Sequence, residues 1–188
     1  MRLFVAIDIP DSVRSALAAT SLQLRKLCPA VRWARIEGAH VTLKFIGEVQ
    51  PERLAQIQLA LRGVSGVAPV DLQFTGLGFF PNLHHPRVLW AGVSATPALR
   101  ALALSVGTAL EPLGIASDTR GFTPHITLAR INSPKGLDTL RDAVARESHT
   151  TFGKSSAREF HLYRSVLKPG GAEYTRLSTY EISGEPAH

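Results

Sequence analysis

The sequence predicts an α+β fold in which helices pack on sheets. Three observations predict it. Short apolar strands alternate with amphipathic stretches along the whole chain. Two of those strands carry the same pattern of histidine, β-branched residue, threonine and leucine, at His40-Val41-Thr42-Leu43 and His125-Ile126-Thr127-Leu128. Hydrophobic residues make up 45% of the 188 positions, enough to fill a core. That length suits one domain over residues 1–188, built from two similar halves.

Taken in order, Leu3 to Ile7 is an apolar run that reads as a central strand, broken at Ile9-Pro10. Asp11 is placed to cap a helix that runs to Leu27, with Val13, Leu17, Leu24 and Leu27 on one stripe. Pro29 ends it. A strand is expected from Val31 to Ile36, with Trp33 in the core or on a site rim. A turn at Glu37-Gly38-Ala39 leads into the first histidine strand, His40 to Gly47. Pro51 starts a second helix that extends to Val64. Val70 to Thr75 alternates as a strand. A turn-rich loop follows, with Gly76, Gly78, Pro81, Asn82 and Pro86. Val88 to Val93 is a buried strand. Thr96-Pro97 caps and opens a third helix to Leu110, and Ser133-Pro134 opens a fourth to Ala145. Arg158 to Leu167 and Glu173 to Ile182 form a terminal hairpin around Lys168-Pro169-Gly170-Gly171. Outside the two motifs the halves share little identity.

Lys and Arg total 21 against 15 for Asp and Glu, a formal charge of +6. The resulting pI of about 10.0 favours an anionic partner, with nucleic acid foremost. Cys28 is the single cysteine, so no disulfide within the chain and no Cys-rich metal knuckle can form. The apolar run after Met1 meets Asp8 too soon for a signal peptide, and no stretch approaches about 18 uninterrupted apolar residues. A cytoplasmic protein with no membrane contact is expected, and nothing in the sequence calls for more than a monomer.

Side chains alternate across a strand, so each motif puts its His and Thr on one face and its apolar pair on the other. The two strands are expected to lie side by side and to present two imidazoles and two hydroxyls to one phosphate. A third match, His149-Thr150-Thr151, lacks the apolar alternation and reads as a loop at a helix end. Imidazole can give or take a proton near neutral pH. Each threonine hydroxyl can donate to a non-bridging phosphate oxygen. Neither motif has the carboxylate or cysteine company of a usual metal site, so no metal and no cofactor are expected.

These motifs, with Arg2-Leu3-Phe4-Val5-Ala6-Ile7, Phe80-Pro81-Asn82, Phe122-Thr123-Pro124 before the second histidine and Leu162-Tyr163-Arg164-Ser165, carry a family likeness. It resembles the 2H phosphoesterase superfamily, in the RNA 2′,3′-cyclic phosphodiesterase branch historically called 2′-5′ RNA ligases. The resemblance implies a bilobal α+β structure with pseudo-two-fold symmetry, antiparallel sheets lining a central cleft and helices packed outside. It implies hydrolysis of the 2′,3′-cyclic phosphate at the 3′ end of RNA to a 2′-phosphate. His40 would be the proton donor and His125 the proton acceptor, a division of roles that the residues themselves leave open. Thr42, Thr127 and Arg130 would hold the phosphate. Strict alternation puts Arg130 opposite His125, so it reaches the site only if the strand ends or bulges near Ala129. Lys44, Phe80, His84, His85 and Tyr163 are further candidate substrate contacts. Small cyclic nucleotides, reversible 2′-5′ ligation and RNA binding without turnover remain as alternatives.

Overall fold

The computed structural model describes residues 1–64, 66, 69–116, 121–133, 136–169 and 171–182. Two antiparallel sheets form its frame. In the first sheet β1 (Arg2–Asp8) lies between β3 (His40–Glu48) and β8 (Glu159–Lys168), and β8 pairs in turn with β9 (Gly171–Glu181). The second sheet has five strands. Its order is β2 (Arg32–Trp33), β6 (His125–Arg130), β5 (Val88–Val93), β4 (Val70–Phe80) and β7 (Thr151–Ala157). The motif strands are therefore not neighbours in one sheet, as the sequence led us to expect. Each spends its backbone hydrogen bonds on its own sheet, and the two face one another from separate sheets.

Among the described residues four α-helices cover the outer faces. α1 (Asp11–Leu27) packs against β7 and against α4 (Asp138–Arg146), which lies on β4. α2 (Leu54–Arg62) lies on β9 and on α3 (Pro97–Leu110), which bridges β3 and β4. The buried stripe of α1 is Val13, Leu17, Ser21 and Leu24, whereas Leu27 is exposed. Asp11 does not cap this helix. Pro10 occupies the cap position, and Asp11 sits in the first turn paired with Arg14 at 3.5 Å. Thr96 caps α3 as expected, its Oγ1 accepting from the Leu99 amide at 3.2 Å. The helix expected from Pro51 begins as a 3-10 turn (Pro51–Arg53) before α2. α4 starts at Asp138, later than Ser133-Pro134 indicated, and Pro134 lies outside the described residues, as does Gly170 of the hairpin turn.

Two strands differ more. β4 continues through Gly76 and Gly78 to Phe80, where a loop was expected. Gly76 allows this with a φ of 75° at a bulge, where a Cβ would overlap the Ser148 carbonyl oxygen. β7 was not anticipated, because Thr151–Ala157 is mostly small and polar and buries one large side chain, Phe152. No helix among the described residues is long and apolar enough to cross a membrane.

Candidate active site

Both histidine strands carry the same irregularity. In β3 the register against β1 skips Leu43, since Val5 faces Lys44 and Ala6 faces Thr42. In β6 the register against β5 skips Leu128, since Leu89 faces Ala129 and Trp90 faces Thr127. Each bulge buries two consecutive residues, Leu43-Lys44 and Leu128-Ala129, and returns the next one to the motif face. The residue returned in β6 is Arg130, and in β3 it is Phe45. Lys44 is turned away from the His40 face. It is only 4% exposed, and its Nζ donates to the Ala116 carbonyl at 2.6 Å.

A cleft of about 410 Å³ lies between the two sheets, and His40, Thr42, His125, Thr127 and Arg130 all line it. Four guanidinium groups border it, from Arg2, Arg32, Arg35 and Arg130, and all four residues are exposed. Trp33 lines it too, with its Nε1 tied to the Cys28 carbonyl at 3.2 Å. A second cavity of about 960 Å³ adjoins the first, sharing Thr42, Phe45, His125 and Arg130, and extends under α3 past Phe80 and Arg87.

The two imidazoles are held alike. His40 Nδ1 lies 2.8 Å from the Gly38 carbonyl, and His125 Nδ1 lies 2.8 Å from the Thr123 carbonyl. A carbonyl oxygen only accepts, so Nδ1 carries the proton in both rings and Nε2 is the nitrogen left for chemistry. The Gly38 turn is itself fastened by Arg14, whose guanidinium donates to the carbonyls of Ile9, Ile36 and Glu37. An aromatic ring backs each histidine. Phe4 stacks on His40 at 4.5 Å between centroids, and Phe80 meets His125 edge to face at 4.9 Å. Tyr174 adds a second edge contact to His40 at 5.0 Å.

Burial lowers the proton affinity of both rings below the ordinary imidazole value of 6.5. Opposing influences differ between them. The Gly38 hydrogen bond and the Asp8 carboxylate pull His40 back up, while His125 pushes it down. For His125 the Thr123 bond pulls up and the Arg130 guanidinium pushes down.

The remaining sequence candidates fall elsewhere. Phe80 serves as the wall behind His125 rather than lining the 410 Å³ cleft. His84 and His85 sit exposed in the loop after β4, where their amides donate to Asn82 Oδ1, and they line neither cavity. Tyr163 stands beside the cleft, stacked on Phe4 at 5.3 Å, with its hydroxyl donating to Asp8 at 2.6 Å. Sequence reasoning missed Phe4, Asp8, Arg2, Arg32 and Arg35. Alternation along β1 was the available signal, because Leu3, Val5 and Ile7 fill the core and leave Phe4 and Asp8 for the other face. Among the described residues no group of three or more His, Cys, Asp or Glu side chains is arranged to hold a metal ion.

Comparison with known proteins places the chain in a family. The model of the 2′-5′ RNA ligase superfamily matches residues 9–168. An RNA 2′,3′-cyclic phosphodiesterase of Archaeoglobus fulgidus is 37% identical over 181 residues, covering 96% of this chain and 100% of its own. Among solved structures, TT0787 of Thermus thermophilus superposes with a TM-score of 0.80 at 34% identity, covering 99% of this chain and 100% of that one. Escherichia coli LigT complexed with 3′-AMP superposes with a TM-score of 0.75 at 26% identity, over 97% and 98% of the two chains.

Proposed function

The chain belongs to the 2′-5′ RNA ligase superfamily, and from that premise we propose that it is an RNA 2′,3′-cyclic phosphodiesterase that works by two-histidine acid/base catalysis. One observation carries the reading. Two imidazoles from separate sheets line one cleft, each with Nδ1 anchored to a carbonyl and Nε2 left over, beside four guanidinium groups suited to a phosphate and its RNA chain.

The reaction follows from in-line geometry. Water attacks phosphorus opposite the departing ribose 3′-oxygen. His125 Nε2 takes the proton of the water as the new O–P bond forms. His40 Nε2 gives its proton to the 3′-oxygen as the old O–P bond breaks. The products are a 2′-phosphate and a free 3′-hydroxyl, with His40 neutral and His125 protonated until solvent resets them. Thr42, Thr127 and Arg130 donate to the non-bridging oxygens, where charge grows in the transition state. Burial, with Arg130 beside it, lowers the proton affinity of His125 and so favours the neutral ring that a base needs. No step calls on a metal ion.

A cyclic-ended oligonucleotide tests this directly. Turnover to the 2′-phosphate, unchanged by a chelator and lost in His40→Ala and in His125→Ala, is the expected result. A 3′-phosphate product, or full activity in either variant, overturns it. The 960 Å³ cavity next to His125 is far larger than a water requires, and this favours a second reaction at the same centre. A ribose hydroxyl entering there in place of water would give 2′-5′ ligation, seen as a joined product when a 5′-hydroxyl oligonucleotide is added.

A further inference from the structure

The matching bulges make the surroundings of the two histidines comparable position by position. Thr42 faces Ala6 on β1, and Thr127 faces Trp90 on β5. Phe45 faces Phe4, and Arg130 faces Val88. At the histidines themselves, His40 faces Asp8, and His125 faces Gly92. Residues directly opposite in an antiparallel pair put their side chains on the same face, so the Asp8 carboxylate stands beside the His40 ring. At the facing position of β5 no side chain does the same for His125. A Cβ on Gly92 would lie 2.5 Å from the Thr75 carbonyl oxygen.

Asp8 is also held. Tyr163 of β8 donates its hydroxyl to Asp8 Oδ1 at 2.6 Å, and Arg176 of β9 donates to Oδ2 and also to the Tyr163 oxygen at 3.3 Å. Beneath them lies His161 of β8, 1% exposed, with Nδ1 on Thr179 Oγ1 at 3.0 Å. Its Nε2 stands 3.7 Å from Asp8 and 3.6 Å from Glu159. None of these groups lines the cleft, and the hydrolysis described above uses none of them.

We propose that Asp8, clamped by Tyr163 and Arg176, is the positioning residue that makes His40 rather than His125 the proton donor. The proposal rests on the phosphodiesterase reading. Burial disfavours the charged form of both rings, and His125 lowers His40 further; against this the Asp8 carboxylate favours protonated His40, while at His125 the Arg130 guanidinium adds to the lowering. Among the described residues the charged and titratable groups in play are Asp8, His125, Tyr163 and Tyr174 around His40, and His161, Glu159, Tyr163 and Arg176 around Asp8. Burial and Asp8 together push the Tyr163 hydroxyl up to about 12, so it stays a donor throughout. Arg176 offsets part of the Asp8 charge, so the clamp sets how strongly His40 feels it.

Imidazole NMR titration of the full chain reads this without requiring turnover. Asp8→Asn is expected to lower the His40 midpoint by on the order of half a pH unit and to leave His125 in place. Arg176→Gln, which changes an exposed side chain, is expected to move the His40 midpoint upward. In activity assays the alkaline limb of kcat/KM, set by loss of the His40 proton, shifts the same two ways. Equal shifts in both histidines, no shift in His40, or shifts of the same sign in the two variants overturn the proposal. If the unaltered protein turns over no cyclic phosphate, the phosphodiesterase reading fails, while the titration still decides whether Asp8 controls His40.

Discussion

His40 and His125 are matched in anchoring and differ in their neighbours, and that combination makes their chemistry testable. On the proposed mechanism, replacing either by alanine removes general acid or base catalysis, with an expected loss in kcat of roughly 10²–10⁴-fold while the thermal melt stays cooperative. Because burial lowers both proton affinities from 6.5, kcat/KM should trace a bell with its maximum below pH 6.5. A maximum above pH 7 would show that the proton affinities of the two rings are raised rather than lowered, and would overturn this account of their burial. Arg130→Ala removes an exposed side chain that supports no part of the core, so its loss should appear in kcat/KM, about 10–100-fold, with little change in melting temperature. At this scale much could be read from the chain alone. The repeated motif puts His and Thr on one face whatever lies around it. What could not be read was the bulge at Leu43. Lys44 shares the His40 face by parity and leaves it by geometry, since nothing in the local sequence marks where a partner strand skips a residue.

Elements with strong local signals form where their sequences predict. Helix α3 has both a Thr96 cap and a first-turn proline, and Thr96→Ala should cost about 1 kcal/mol, read as a lower melting temperature with kcat unchanged. Strand β4 shows the opposite case. Its Gly76 and Gly78 look like turn residues, yet both are small because something packs over them. A Cβ on Gly78 would run into the Trp90 indole, and Gly78→Ala should therefore destabilise by about 1–3 kcal/mol in chemical denaturation. That displacement would also disturb Phe80, which lies against Trp90 at 5.2 Å and against His125 at 4.9 Å, so kcat should fall with stability. Strand β7 lacks an apolar alternation because it lies at a sheet edge, where pairing with β4 supplies what side-chain burial does not.

For the whole molecule, the consequence of burying His40, His125 and His161 is a stability that depends on pH. Burial lowers each affinity in the folded state relative to the unfolded chain, so the unfolded state binds more protons as pH falls through 6.5. Stability from this source is complete above pH 6.5 and is lost as pH falls through the folded values. The melting temperature should rise between pH 5 and pH 7, and His161→Asn, which removes one titrating group, should flatten that rise. Local chemistry in the chain determined a good deal on its own. The apolar periods, the caps, the doubled motif and the basic charge all act within a few residues of themselves, and they sufficed for the α+β class and for picking out four side chains that line one cleft. Only the tertiary structure decided which strand each motif pairs with, that the two face one another across a cleft, and that Asp8 lies beside one histidine while Gly92 lies beside the other. Those choices join residues 32 or more positions apart, and they are set by backbone pairing and by the packing of helices on two sheets, which no short window of sequence contains.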